Sequence, residues 1–81
     1  MMTTASRVVA TLQSVSGTDQ VSRDPDLALF DLDVLDSLGM VELMVALSEE
    51  FGVPISPAEI EREQWATPRQ IVAYMENRVG P

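Results

Sequence analysis

The segment 37–51 constrains the fold of this 81-residue chain more than any other part of it. Asp36 just before it is a helix N-cap residue, and Gly52 followed by Pro54 stops the helix at its far end. Between them, apolar residues recur at helical rather than alternating spacing. At about 100° per residue, Met40, Leu43, Met44, Leu47 and Phe51 fall on one side and are predicted to be core. The other side collects Leu38, Val41, Glu42, Val45, Ser48 and Glu49, where Val41 and Val45 either stand exposed among the acids or extend a wide core stripe. A helix so strongly apolar on one side has to be covered by other elements, and three further segments supply the cover. In 4–15, Ala5, Val8, Leu12 and Val15 share a face, and Gly17 ends the helix. The segment 57–62 opens on Ser56-Pro57-Ala58-Glu59, a capping box with proline at the first helical position. The segment 68–79 opens on the similar Thr67-Pro68-Arg69-Gln70, points Ile71, Val72, Met75 and Val79 inward, and closes at Gly80-Pro81. No strand pattern competes, so the predicted fold is an all-α four-helix bundle in one domain over residues 1–81.

About twenty residues, 16–35, connect the first two helices, a long stretch for so small a domain. Val21, Leu27, Leu29, Phe30, Leu32, Val34 and Leu35 give it enough apolar side chains to lie down on the bundle. It is expected to be an ordered, packed connection with a helical turn near Pro25 to Ala28.

Composition removes whole classes of function. The chain has no histidine, no lysine and no cysteine. It cannot by itself build a Ser-His-Asp triad, a thiol nucleophile, a Schiff-base lysine, a disulfide or a typical zinc site. A net charge of −8 excludes nucleic acid as a partner, because little here could neutralise a phosphate backbone. From Asp24 to Glu61 there are ten acids and no Arg or Lys. Such a run is either a solvated surface or a docking surface for basic partners. No apolar run exceeds five residues (Leu43 to Leu47), so no membrane span is predicted. The N-terminus carries no secretory signal pattern, and a cytoplasmic monomer is the expectation. Asp31-Leu32-Asp33-Val34-Leu35-Asp36 lacks the register and glycine of a calcium loop and is read as loop surface, with no metal site. Met44 and Met75 sit at core spacing. Trp65 is read as a packing residue joining the third segment to the bundle, with partner contact as the alternative.

The residue suited to chemistry is Ser37. With Asp36 as cap, Ser37 lies in the first helical turn, where its hydroxyl points outward and backbone N–H groups are unpaired. That end of a helix carries partial positive charge and accommodates a phosphoester. A serine there is also an ordinary feature of helix starts, and position alone leaves both readings open.

Leu35-Asp36-Ser37-Leu38-Gly39-Met40-Val41-Glu42-Leu43 resembles the phosphopantetheine attachment motif of acyl carrier proteins, with Ser37 as the attachment residue. The likeness continues through Ala46 to Ile55 and covers about Phe30 to Tyr74. Gly39 stands where many fatty-acid carriers have an acid. With Glu63-Gln64-Trp65-Ala66-Thr67-Pro68 and Ile71-Val72, it makes the chain closer to D-alanyl carriers and to freestanding aminoacyl carriers. The resemblance implies an acyl-carrier-type bundle that is not an enzyme, with 4'-phosphopantetheine from coenzyme A as its covalent cofactor. Ser37 would bear the arm and Asp36 would present it, while Leu38, Val41, Glu42, Val45 and Glu49 dock partners. Those partners are a phosphopantetheinyl transferase, an adenylating enzyme and an acyltransferase. Five arginines beside no lysine hint at a GC-rich coding bias. That hint places polyketide or nonribosomal-type, antibiotic-like biosynthesis first. D-alanylation of teichoic acid and a plain acidic interaction module are the alternatives.

Overall fold

The structure is a computed structural model and describes residues 3–79. Four α-helices occur among the described residues: α1 (Thr4–Ser16), α2 (Gln20–Arg23), α3 (Ser37–Phe51) and α4 (Pro68–Val79). Two 3-10 turns, Pro57–Glu59 and Arg62–Trp65, join α3 to α4. The all-α bundle is as expected.

Each boundary has a local cause. Thr3 caps α1 by accepting the Ser6 N–H at 3.1 Å, and Gly17 ends it at φ 75°, a left-handed conformation that glycine adopts without steric cost. Asp36 caps α3 through the Gly39 N–H at 2.7 Å, and Gly52 ends it at φ 67°. At the head of α4, Thr67 and Gln70 exchange bonds of 3.2 Å, the reciprocal pattern expected of Thr67-Pro68-Arg69-Gln70. The closure of that helix at Gly80-Pro81 lies outside the described residues.

The short third segment differs from expectation in form. Ser56 does accept the Ala58 N–H, but Glu59 does not return the bond. Its carboxylate lies 3.5 Å from Arg78 on α4 instead. A reciprocal box forms one turn later, between Glu61 and Gln64. Ile60, between the two turns, is buried and ties the segment to the core.

Helix α1 is the central element, packed against both α3 and α4. Val8 and Leu12 from α1, Met40, Leu43, Met44 and Leu47 from α3, and Ile71 and Met75 from α4 meet in one cluster. Burying side chains of this size contributes roughly 1.5–3 kcal/mol each. Phe51, expected in the core, is only half-buried. The Arg7 guanidinium lies 4.2 Å over its ring and donates to the Glu50 carboxylate and carbonyl, so α1 closes the C-terminal end of α3 with a cation rather than a hydrocarbon.

The connection 17–36 packs as expected, with Val21, Leu27, Leu29 and Leu35 buried. Its helical turn, however, is α2 at Gln20–Arg23, earlier than Pro25 to Ala28. Leu29 N–H bonds to the Ala66 carbonyl at 2.9 Å, and the Leu29 carbonyl receives both Val34 and Leu35. Leu32, expected to lie on the bundle, is 61% exposed. The turn wound around the Leu29 carbonyl carries it outward. The Asp26 carboxylate and Arg69 pin the same connection to α4. The hydrogen bond from Arg69 holds the Asp26 carboxyl below its ordinary value. That depressed value makes the contribution of the pair to stability present above the unfolded carboxylate's range and lost as pH falls through the folded value.

Candidate functional site

The site is built from the last turn of the connection and the first turn of α3. Asp36 has extended backbone geometry, and its carbonyl already accepts the Met40 N–H at 2.9 Å. Its carboxylate is turned onto the Gly39 N–H. A Cβ at Gly39 would come within 3.2 Å of Leu35 and 3.3 Å of the Asp36 carboxylate. Glycine therefore lets the cap and the buried Leu35 close tightly over the helix start. Two N–H groups of the first turn, those of Ser37 and Leu38, keep no partner among the described residues.

Ser37 is exposed, and its hydroxyl has no hydrogen-bond partner among the described residues. The cap is made by Asp36, which leaves the serine oxygen unused by the fold. Ser48 and Ser56 differ: the Ser48 hydroxyl donates to the Val53 carbonyl at 2.7 Å, and Ser56 caps its 3-10 turn. A phosphodiester on Ser37 would stand at the positive end of a 15-residue helix, beside two open N–H groups. These residues fit a phosphopantetheine arm on this serine. No group of three or more potential metal-ligating side chains occurs among the described residues. No helix among them is long and apolar enough to cross a membrane.

Helix α3 turns a mixed face to solvent beside Ser37. Leu38, Val41 and Val45 are 67%, 43% and 53% exposed, and Glu42 and Glu49 are exposed among them. The helical spacing separated this face from the core side correctly. Asp33 and Leu38 line one shallow cleft with Val15, Leu35, Asp36, Gly39 and Glu42, so the connection and the exposed face adjoin at the serine. Trp65 is fully buried, with its ring 5.4 Å from Tyr74 in an edge-to-face arrangement. It is a packing residue.

Two residues of the connection gain interest from the structure: Leu32, expected to lie on the bundle, and Asp33, read as loop surface and exposed as expected. Leu32 is a bare leucine where the apolar pattern implied a buried one. Asp33 adopts φ 56°, which L-residues other than Asn and Asp rarely take. An acid in this loop could have been suspected of a left-handed turn, but irregular backbone offers no period from which to read exposure.

Comparison with known proteins agrees with this geometry. Residues 6–75 match the phosphopantetheine attachment site family, from the first turn of α1 to well inside α4. Over 69 residues the chain is 41% identical to the D-alanyl carrier protein of Lacticaseibacillus casei (strain BL23), covering 85% of each chain. It is 42% identical over 66 residues to D-alanyl carrier protein 2 of Lactiplantibacillus plantarum, covering 82% of this chain and 81% of the relative. The D-alanyl carrier protein of Lacticaseibacillus rhamnosus is 39% identical over 69 residues, again at 85% of each. With a match across most of its length, this chain belongs to the phosphopantetheine attachment family: it is a carrier protein that works through a covalent 4'-phosphopantetheine arm and is not itself an enzyme.

Proposed function

We propose that this protein is an aminoacyl carrier whose cargo is D-alanine, with the arm on Ser37. The cargo assignment rests on one observation, that relatives matching four-fifths or more of the chain are D-alanyl carrier proteins. These relatives reverse the ranking drawn from composition, which put polyketide or nonribosomal-type biosynthesis first. A coding bias constrains the genome, whereas identity spread over the chain constrains the surface that partners read.

In this reading a phosphopantetheinyl transferase brings coenzyme A to the Ser37 hydroxyl. The serine oxygen bonds to the phosphorus nearest the pantetheine, the pyrophosphate P–O bond breaks, and adenosine bisphosphate leaves. The transferase supplies Mg²⁺ and the base that takes the hydroxyl proton, since this chain has no histidine or lysine. Once attached, the arm supplies a thiol, which holds the cargo as a thioester. Asp36 keeps the serine at the open end of the helix. Leu38, Val41 and Val45 act as aliphatic anchors, and Glu42 and Glu49 form an acidic rim that steers basic enzymes. An adenylating enzyme loads the cargo and an acyltransferase removes it. The carrier's contribution is positioning, through the high effective concentration of a tethered substrate.

Incubating the arm-bearing protein with a D-alanine-activating adenylating enzyme and ATP is the test. The intact mass should rise by one alanyl group with D-alanine and stay unchanged with L-alanine or a medium-chain fatty acid. Loading by fatty-acid-activating enzymes with none by D-alanine-activating ones would overturn the cargo assignment.

The docking face has its own expected outcome. Glu42→Arg with Glu49→Arg should slow loading severalfold at low salt, and the deficit should shrink as ionic strength rises and screens both charges. Val45→Asp should slow loading at every salt concentration, because it removes an apolar anchor. Wild-type rates for both variants in folded protein would place the docking face elsewhere.

A further inference from the structure

The loop tip at Leu32 carries an inference beyond the helix face. Leu27, Leu29 and Leu35 of the same connection are buried and Phe30 and Val34 are partly buried, yet Leu32 stands 61% exposed. This is not the exposure of a loose loop. Leu32 N–H bonds to the Ala28 carbonyl at 3.0 Å and Asp33 N–H to the Phe30 carbonyl at 3.2 Å. Val34 and Leu35 both bond to the Leu29 carbonyl, and Leu29 is held to Ala66. Asp33 takes φ 56° within this turn, a left-handed conformation that aspartate tolerates in tight turns. The fold thus fixes a leucine outward between two acids, Asp31 and Asp33. Leu38, Val41 and Val45 have the same surroundings on α3, among Asp36, Glu42 and Glu49.

We propose that Leu32 is a second docking anchor, on the connection that adjoins the α3 face beside Ser37, and that its occupant is an apolar socket ringed by basic side chains on the phosphopantetheinyl transferase. The proposal rests on Ser37 being the attachment residue. An enzyme acting at the Ser37 hydroxyl must cover the surface around it. A standard interface takes about 800 Å² from each partner, a patch roughly 16 Å in radius. Ser37 follows Leu32 by five positions, a reach of at most about 17 Å even when fully extended, and the wound turn shortens it. The loop tip therefore falls under the footprint. Between Asp24 and Glu61 the chain carries ten acids and no basic residue, so the complementary rim on the enzyme is basic. A second anchor on the connection would add to the constraint that the α3 face places on the carrier's angle on the enzyme.

The test is steady-state transfer of the arm from coenzyme A to wild type, Leu32→Asn and Leu32→Met by one transferase. Leu32→Asn should raise the KM for the carrier five- to tenfold, equally at low and high salt, with kcat changed by less than twofold. Leu32→Met, which keeps an apolar anchor, should stay within twofold of wild type. Melting temperature and helical circular dichroism should not change in either variant, since the side chain is mostly exposed and lies outside the core cluster. A KM for Leu32→Asn within twofold of wild type would overturn the proposal, and so would loss of fold in that variant, which would make the leucine structural. Wild-type protein that takes no arm on Ser37 would instead overturn the attachment reading on which the proposal rests.

Discussion

Ser37→Ala should take up no phosphopantetheine at all while folding as the wild type does. The side chain is exposed, its hydroxyl bonds to nothing among the described residues, and the helix cap belongs to Asp36. Alanine at the first position of a helix costs no packing and suits the helix well. Intact mass after incubation with coenzyme A and a transferase reads the outcome directly, and circular dichroism reads the fold. Ser48 and Ser56 cannot readily substitute, since their hydroxyls are engaged in holding the turn after α3 and the 3-10 turn. An arm mapped to either of them, or a mass gain persisting in Ser37→Ala, would refute the assignment. Asp36→Ala separates cap from attachment point. It should lose about 1 kcal/mol of stability with the Gly39 bond, yet still accept the arm at a reduced rate.

Trp65→Ala should be the most damaging single change to the fold. The indole is completely buried and meets Tyr74 edge-on. It also anchors the 3-10 turn whose neighbour Ala66 bonds to Leu29. Truncating a buried tryptophan costs about 3–5 kcal/mol, against a total of roughly 5–15 kcal/mol for a protein. For a domain of this size that is a fall in melting temperature of roughly 12 °C or more. Trp65→Phe keeps a ring against Tyr74 and removes an indole N–H that has no partner among the described residues, so it should lose less than half as much. Thermal unfolding followed by circular dichroism measures both. A drop of only a few degrees in Trp65→Ala would mean that the 3-10 segment contributes little to the core.

These two residues differ in how far the sequence revealed them. Ser37 could be singled out because a helix start announces itself locally, through Asp36 before it and the apolar period after it. The inward and outward faces of α3 followed from the same period, down to Met40, Leu43, Met44 and Leu47 inside and Val41 and Val45 outside. Trp65 could be assigned to packing by its size and apolar surface, but its depth and its contact with Tyr74 depend on where α4 comes to rest. Phe51 shows the limit of the periodic reading. It sits at the edge of the core face, half-buried, with the Arg7 guanidinium of α1 over its ring.

By itself, then, the sequence determined the elements with a repeat or a cap, because spacing and capping are properties of neighbouring residues: an all-helical chain, the limits of α3, most of the core, and a serine left free at a helix start. Tertiary structure alone decided what has no period. It placed the extra turn at Gln20–Arg23, put the reciprocal cap at Glu61–Gln64 rather than Ser56–Glu59, whose Glu59 lies beside Arg78, and wound residues 28–35 around the Leu29 carbonyl. That winding turned Leu32 to solvent although its neighbours Leu29 and Leu35 are core. In irregular backbone the direction of a side chain is set by hydrogen bonds to distant partners such as Ala66, and no local pattern of apolar residues encodes those.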